Sequence, residues 1–367
     1  MNQHHTPQRG TAGRSAGFDR RSFLRYTLMA GGAAGALGAA GVLSACSSGS
    51  SGGSGASSTN PKVQLSWQKN IEFAGEYWAL EKGYYQKAGV GTPELLTGGG
   101  AGTGVETGLT SNKVWIGMTA PQLTAPVILQ GAKLKTVAAT FQKNPFCIVS
   151  SAAKPINTPQ EMKGKKIGVQ ASNENVFKAL LTANGLTESD VQKITVQYDP
   201  TPLTKGEVDG WVAYITNEPI TLAEQGFENK AFLFADFNLP LVAETLVVRQ
   251  ETIDNERDKL KAFLKADIQG WYDAIADPAG SAKLAVTKYG KDLGLDEAEQ
   301  VKEATAQNTL VVSDDTKANG LLTMTDALIA ENIEALAKAG YQIKPEQIFD
   351  MSLIKEVYEE DPTLKRA

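Results

Sequence analysis

Trp67 closes the apolar run Val63-Gln64-Leu65-Ser66-Trp67, and Asn70 follows it in the next loop. An indole can stack on a flat ring, and a primary amide can give such a ring both a donor and an acceptor. A second group follows Trp211-Val212-Ala213, where Tyr214, Asn217 and Glu218 bring together an aromatic, an amide and a carboxylate. A carboxylate accepts from ring N–H or amino groups and repels anions, so this set suits a nitrogen heterocycle. Between the two groups, the glycine run Thr97 to Gly104 could aim backbone N–H groups at a ligand from around Gly99. No Gly-Lys-Ser/Thr follows it, so it is not a nucleotide phosphate loop. Thr119 and Asn173 each follow a strand-like run and precede a helix-like one, a place where a helix cap and a ligand donor look alike. Phe73 and Tyr77 lie four apart and share a helix face; Phe73 joins the candidate site and Tyr77 reads as packing.

The chemistry open to these residues is recognition rather than catalysis. The only histidines are His4 and His5, and the only cysteines are Cys46 and Cys147. Once the N-terminal segment is removed, Ser-His-Asp and Cys-His catalysis and Cys/His zinc sites are all excluded. The expectation is a protein that is not an enzyme, with no cofactor and no metal. An enzyme using Glu, Lys and Tyr for acid–base work is the minor alternative. Cys147 lies in an apolar run and reads as an inert buried thiol.

The N-terminal segment carries its own message. Arg20-Arg21-Ser22-Phe23-Leu24-Arg25 precedes a Gly/Ala-rich apolar run that ends in Leu43-Ser44-Ala45-Cys46. This is the form of a twin-arginine export signal, residues 1–45, and the last four residues resemble a lipobox. That resemblance implies a diacylglycerol on Cys46 and a protein held at the outer face of the cell membrane. Residues 46–61 then form a Ser/Gly tether spanning on the order of 20 Å as a random coil. The removed segment holds five arginines against one aspartate, so the net charge of −5 becomes −9 in the mature chain. An acidic body argues against nucleic acid as a partner.

The elements that must position the candidates alternate. Strand-like and helix-like runs follow one another from Lys62 to Ala139, and a second such series opens at Phe146-Cys147-Ile148-Val149. After Thr245-Leu246-Val247-Val248 the pattern turns almost wholly helical. The fold class expected is therefore α/β with two lobes. Residues 62–145 and 246–367 form lobe 1, residues 146–245 form lobe 2, and the helical C-terminal extension lies on lobe 1. Parallel sheets bind ligands outside their strand ends, and two lobes place such ends around a cleft.

Several strings carry a family likeness: Leu65 to Ala79 followed by Glu81-Lys82-Gly83-Tyr84-Tyr85, Ala139 to Pro145, Tyr214-Ile215-Thr216-Asn217-Glu218-Pro219 and Gly270-Trp271-Tyr272. In this order and spacing the chain resembles the thiamine-pyrimidine-synthase-like substrate-binding proteins of ABC importers. The resemblance implies a hinge-closing, type II-like periplasmic-binding fold. It implies a monomer that delivers a small-molecule ligand to an ABC permease. The implied ligand is a thiamine pyrimidine precursor or related heterocycle. Ser66, Lys69 and Phe73 stand where the pyrimidine branch commonly has Asp, Pro and His. Riboflavin or another flavin therefore stays open, as does a sulfonate or nitrate if Lys69 dominates the cleft. A solute-sensing lipoprotein is the remaining alternative.

Overall fold

The structure, a computed structural model, describes residues 60–99 and 104–366. The expected export signal, Cys46 and the tether up to Thr59 lie outside these residues, as do residues 100–103 of the glycine run. Among the described residues no helix is long and apolar enough to cross a membrane.

Strand β1 (Lys62–Gln64) runs parallel to β2 (Glu94–Leu96) on one side and to β3 (Ile116–Thr119) on the other, with Val63 opposite both Leu95 and Ile116. Gln64, polar and buried, satisfies its amide by donating to the Thr97 carbonyl at 2.8 Å. The sheet is completed by β4 (Leu134–Phe141) and by a late strand, β10 (Ala243–Arg249), in the order β2-β1-β3-β10-β4. The second sheet has the order β7-β6-β8-β5-β9, formed by β5 (Phe146–Ser151), β6 (Lys166–Gln170), β7 (Gln192–Val196), β8 (Gly210–Tyr214) and β9 (Asn229–Leu233).

The alternating pattern predicts parallel sheets, yet both are mixed. β10 is antiparallel to β3 and β4, and β5 is antiparallel to β8 and β9. Each of these is the strand by which the chain arrives from the other lobe. It therefore runs against the strands that helical crossovers return to a common direction.

The chain passes to the second sheet between Phe141 and Phe146 and returns between Asp236 and Ala243. Buried amides hold both passages. Asn144 accepts from the Phe146 N–H at 2.9 Å, and Asn332 accepts from the Val242 N–H at 2.9 Å. Lys143 and Asp236 pair across the two passages at 3.0 Å.

The C-terminal helices pack on the first lobe, and some reach further. The long helix Gln250–Ala276 lies against the helix Ala74–Glu81. Their contact is so close that a Cβ on Gly270 would fall 2.1 Å from the Gly75 carbonyl, so only glycine fits there. The helix Asp326–Lys338 touches the second-lobe helix Glu174–Ala183, and the helix Glu297–Val311 touches the second-lobe helix Glu218–Glu224.

Candidate functional site

The loop leaving β1 is fixed before any ligand is considered. Asn70 caps the short turn Ile71–Phe73: its Oδ1 accepts the Glu72 N–H at 3.1 Å and its Nδ2 donates to Glu72 Oε1 at 3.1 Å. Tyr77 donates its hydroxyl to the Asn70 carbonyl at 2.8 Å and stacks on Tyr289 with centroids 4.1 Å apart. From the C-terminal helix Glu297–Val311, Gln300 accepts from the Ile71 N–H and Gln307 donates to the Ile71 carbonyl, each at 3.0 Å. A buried loop needs this accounting of its backbone groups. Its result is that Glu72 is held in one orientation.

The loop leads into a cavity of about 60 Å³ between the lobes. Ser66, Trp67 and Glu72 line it from the first lobe together with Thr119 and Glu244, while Phe146, Asn173, Tyr214, Asn217 and Glu218 line it from the second. Glu244 sits one residue into β10 and is 1% exposed. It accepts from the Ser66 hydroxyl at 2.7 Å and from the Tyr214 hydroxyl at 3.3 Å, so one carboxylate joins both lobes. Its φ of +46° lies in the left-handed region, which costs a residue with a side chain roughly 1–2 kcal/mol. Strain of this kind persists only where its surroundings impose it.

An outer cavity of about 480 Å³ adjoins this one and shares Trp67, Asn217 and Glu218 with it. Its far wall comes from the helix Glu297–Val311 and the turn before it, through Asp296, Glu299 and Glu303. Across its mouth Tyr198 meets the Trp67 indole edge-on at 4.7 Å. Thr221 donates to Glu299, and Lys302 pairs with Glu224 at 2.6 Å.

Burial pushes the carboxyl groups up. Glu244 is raised to about 7, against the lowering effect of the Ser66 and Tyr214 hydroxyls. Glu218 is raised to about 7, against the Tyr214 N–H that donates to it at 2.9 Å. Glu72 stands well above the usual carboxylate range because of burial and then the neighbouring Glu244. Burial, with Glu299 and Glu72 nearby, lifts Glu303 to about 9.

Of the residues singled out from sequence, Trp67, Thr119, Asn173, Tyr214, Asn217 and Glu218 meet on the inner cavity. Thr119 is not a helix cap; its hydroxyl donates to Glu106 at 2.7 Å, and Ala120 takes the cap position. Asn173 donates to Gln170 at 3.0 Å. Asn70 lines the outer cavity and positions Glu72. Gly99, at φ +73°, underlies Trp67, where a Cβ would come 3.4 Å from the indole. Phe73 lies in the first-lobe core at 0% exposure and lines neither cavity, because the turn Ile71–Phe73 points it inward. Lys69 lines neither cavity. Glu72, Glu244, Ser66 and Phe146 are cavity residues that sequence reasoning passed over. The available signal was a carboxylate embedded in an apolar run, as in Ile71-Glu72-Phe73 and Val242-Ala243-Glu244-Thr245-Leu246.

Comparison with known proteins gives the same architecture. The periplasmic nitrate-binding protein NrtA of Synechocystis PCC 6803 superposes with a TM-score of 0.60 at 13% identity, covering 84% of this chain and 91% of that one. The periplasmic sulfonate-binding protein SsuA of Methylobacillus flagellatus KT gives 0.58 at 18%, covering 83% and 96%. At such identities the likeness is one of fold: the two-lobed periplasmic-binding fold of type II with C-terminal helices. In sequence, the riboflavin-binding protein RibY of Chloroflexus aurantiacus is 27% identical over 235 residues, 61% of this chain, and the match spans 65% of RibY's length. The NMT1/THI5-like family matches over residues 70–281, a stretch holding the capped turn, both crossings of the hinge and the Tyr214 to Glu218 segment, and the chain belongs to that family.

Proposed function

We propose that this protein is an extracytoplasmic solute-binding protein, lipid-anchored at Cys46, that closes its lobes on a flat nitrogen heterocycle and hands it to an ABC permease. The observation that carries the proposal is the inner cavity, where Trp67, Phe146 and Tyr214 offer ring faces and edges while Glu72, Glu218 and Glu244 offer acceptors, drawn from both lobes. A ligand touching both lobes favours the closed state by its differential affinity. Riboflavin is the first candidate. The RibY relative supports it, and the inner cavity adjoins a polar one of about 480 Å³ with room for a polyhydroxy chain. Export and anchoring rest on the twin-arginine and Leu-Ser-Ala-Cys segments.

A second reading, a single-ring thiamine pyrimidine precursor, is favoured by the small inner volume of about 60 Å³, which a tricyclic ring enters only if the lobes part. Sulfonate and nitrate, ligands of fold relatives, are disfavoured by the carboxylates. Thermal unfolding of the body from Thr59 onward, against riboflavin, hydroxymethylpyrimidine, formylaminopyrimidine, taurine and nitrate, tests these readings. Ligand at about 100 times its Kd adds about 2.7 kcal/mol, a shift of several degrees. A shift with taurine or nitrate alone would sink the heterocycle reading.

A further inference from the structure

The inner and outer cavities together are lined by six carboxyl groups, Glu72, Glu218, Glu244, Asp296, Glu299 and Glu303, and among the described residues no Lys, Arg or His lines either. Several of the nearby donors are already committed to the protein. Ser66 and Tyr214 serve Glu244, Thr119 serves Glu106, and Asn173 serves Gln170. Lys302, on the helix that walls the outer cavity, is taken by Glu224. At the N-terminus of that helix Asp296 accepts from the Glu299 N–H at 2.9 Å, which puts a carboxylate where an anion would otherwise sit.

One acceptor is left over. Glu72 is 3% exposed, its Oε1 is held by Asn70, and its Oε2 has no partner although it belongs to a side chain lining the inner cavity. Buried polar atoms without partners are rare, and one on a side chain that lines a cavity is a place for a ligand's donor.

We infer that the two cavities select the free, neutral or cationic form of a ring compound and reject its phosphate ester, with Glu72 Oε2 taking an N–H or O–H from the ligand. The inference rests on the ring-binding reading above and adds the charge class of the ligand. Rejection follows from the outer cavity: a phosphate carried there on the ring's side chain would face the carboxylates of Asp296 and Glu299 with no cation to pair with it. Specificity built from unpaired like charge discriminates without needing any extra contact to the favoured ligand.

The test compares two matched pairs by titration calorimetry: riboflavin against riboflavin 5′-phosphate, and hydroxymethylpyrimidine against its phosphate ester. The parent of one pair binds, and its ester binds about 100-fold more weakly, the scale expected of opposed charges across an interface. Replacing Glu299→Gln narrows that gap by about fivefold, and Glu72→Gln weakens the parent by about tenfold. An ester within about threefold of its parent overturns the inference and leaves ring binding standing. Parent affinity unchanged in Glu72→Gln, with the fold intact by thermal unfolding, removes Glu72 from the site. Failure of both parents to bind overturns the ring-binding reading itself. The pair comparison uses the unmodified protein, so it holds even if a variant does not fold.

Discussion

Glu244→Gln should flatten the pH dependence of this protein's stability. The carboxyl is 1% exposed, and its pKa is raised from 4.5 to about 7, chiefly by burial. Below pH 4.5 the folded and unfolded chains both carry its proton. Between pH 4.5 and 7 only the folded chain keeps it, so stability falls as pH rises through that window and stays low above it. Each factor of ten in proton affinity is worth about 1.4 kcal/mol, so Glu244 alone withdraws about 3 kcal/mol of stability between pH 4.5 and 8. Glutamine never ionises, keeps an acceptor for Ser66 or Tyr214, and inherits the same φ of +46°, so backbone strain cancels in the comparison. Glu244 also raises the pKa of Glu72. Its removal therefore lets Glu72 ionise more easily, which widens the difference in the same direction. Urea unfolding at pH 5 and pH 8, with equal m-values as the check on two-state behaviour, measures it. The variant's advantage over wild type should be about 2.5 kcal/mol larger at pH 8 than at pH 5. Parallel pH profiles would refute the burial argument for Glu244.

Three further outcomes follow from the same geometry. Glu218→Ala should weaken ligand binding roughly tenfold or more without unfolding the protein, the loss expected for a charged hydrogen-bond partner; wild-type affinity by calorimetry would take Glu218 out of the site. Gly99→Ala places a side chain at φ +73° and 3.4 Å from the Trp67 ring, so it should cost about 1–2 kcal/mol in thermal unfolding, and an unchanged Tm would mean the loop adjusts freely. Asn332→Ala orphans the buried Val242 N–H at the return crossing. It should lower the urea midpoint by the equivalent of about 1–3 kcal/mol at constant m, whereas a loss under about 0.5 kcal/mol would show that water replaces the amide.

Local chemistry made much of the fold legible. Alternating apolar runs and capped helices mark two α/β units, and the break in that alternation after Val248 marks the helical tail. The strand-end rule led to Trp67, Thr119, Asn173, Tyr214, Asn217 and Glu218, which the structure gathers on one cavity. The absence of histidine beyond His5 was likewise complete in the sequence, because composition alone excludes a residue's chemistry.

What the chain alone could not decide depends on partners far away in sequence. Glu244 acquires its role from Ser66, 178 residues earlier, and from Tyr214 in the other lobe. Glu72 becomes an open acceptor only because Asn70, Gln300 and Gln307 lock its loop. Phe73 and Glu72 are neighbours on one turn, and packing sends the aromatic to the core and the carboxylate to the cavity. Strand direction is of the same kind, since β5 and β10 run antiparallel for the reason that they cross between lobes. A sequence fixes which groups exist and which local shapes they favour; whether a buried carboxylate finds a donor, a like charge or an empty cavity is set by burial and distance, and those come only with the tertiary structure.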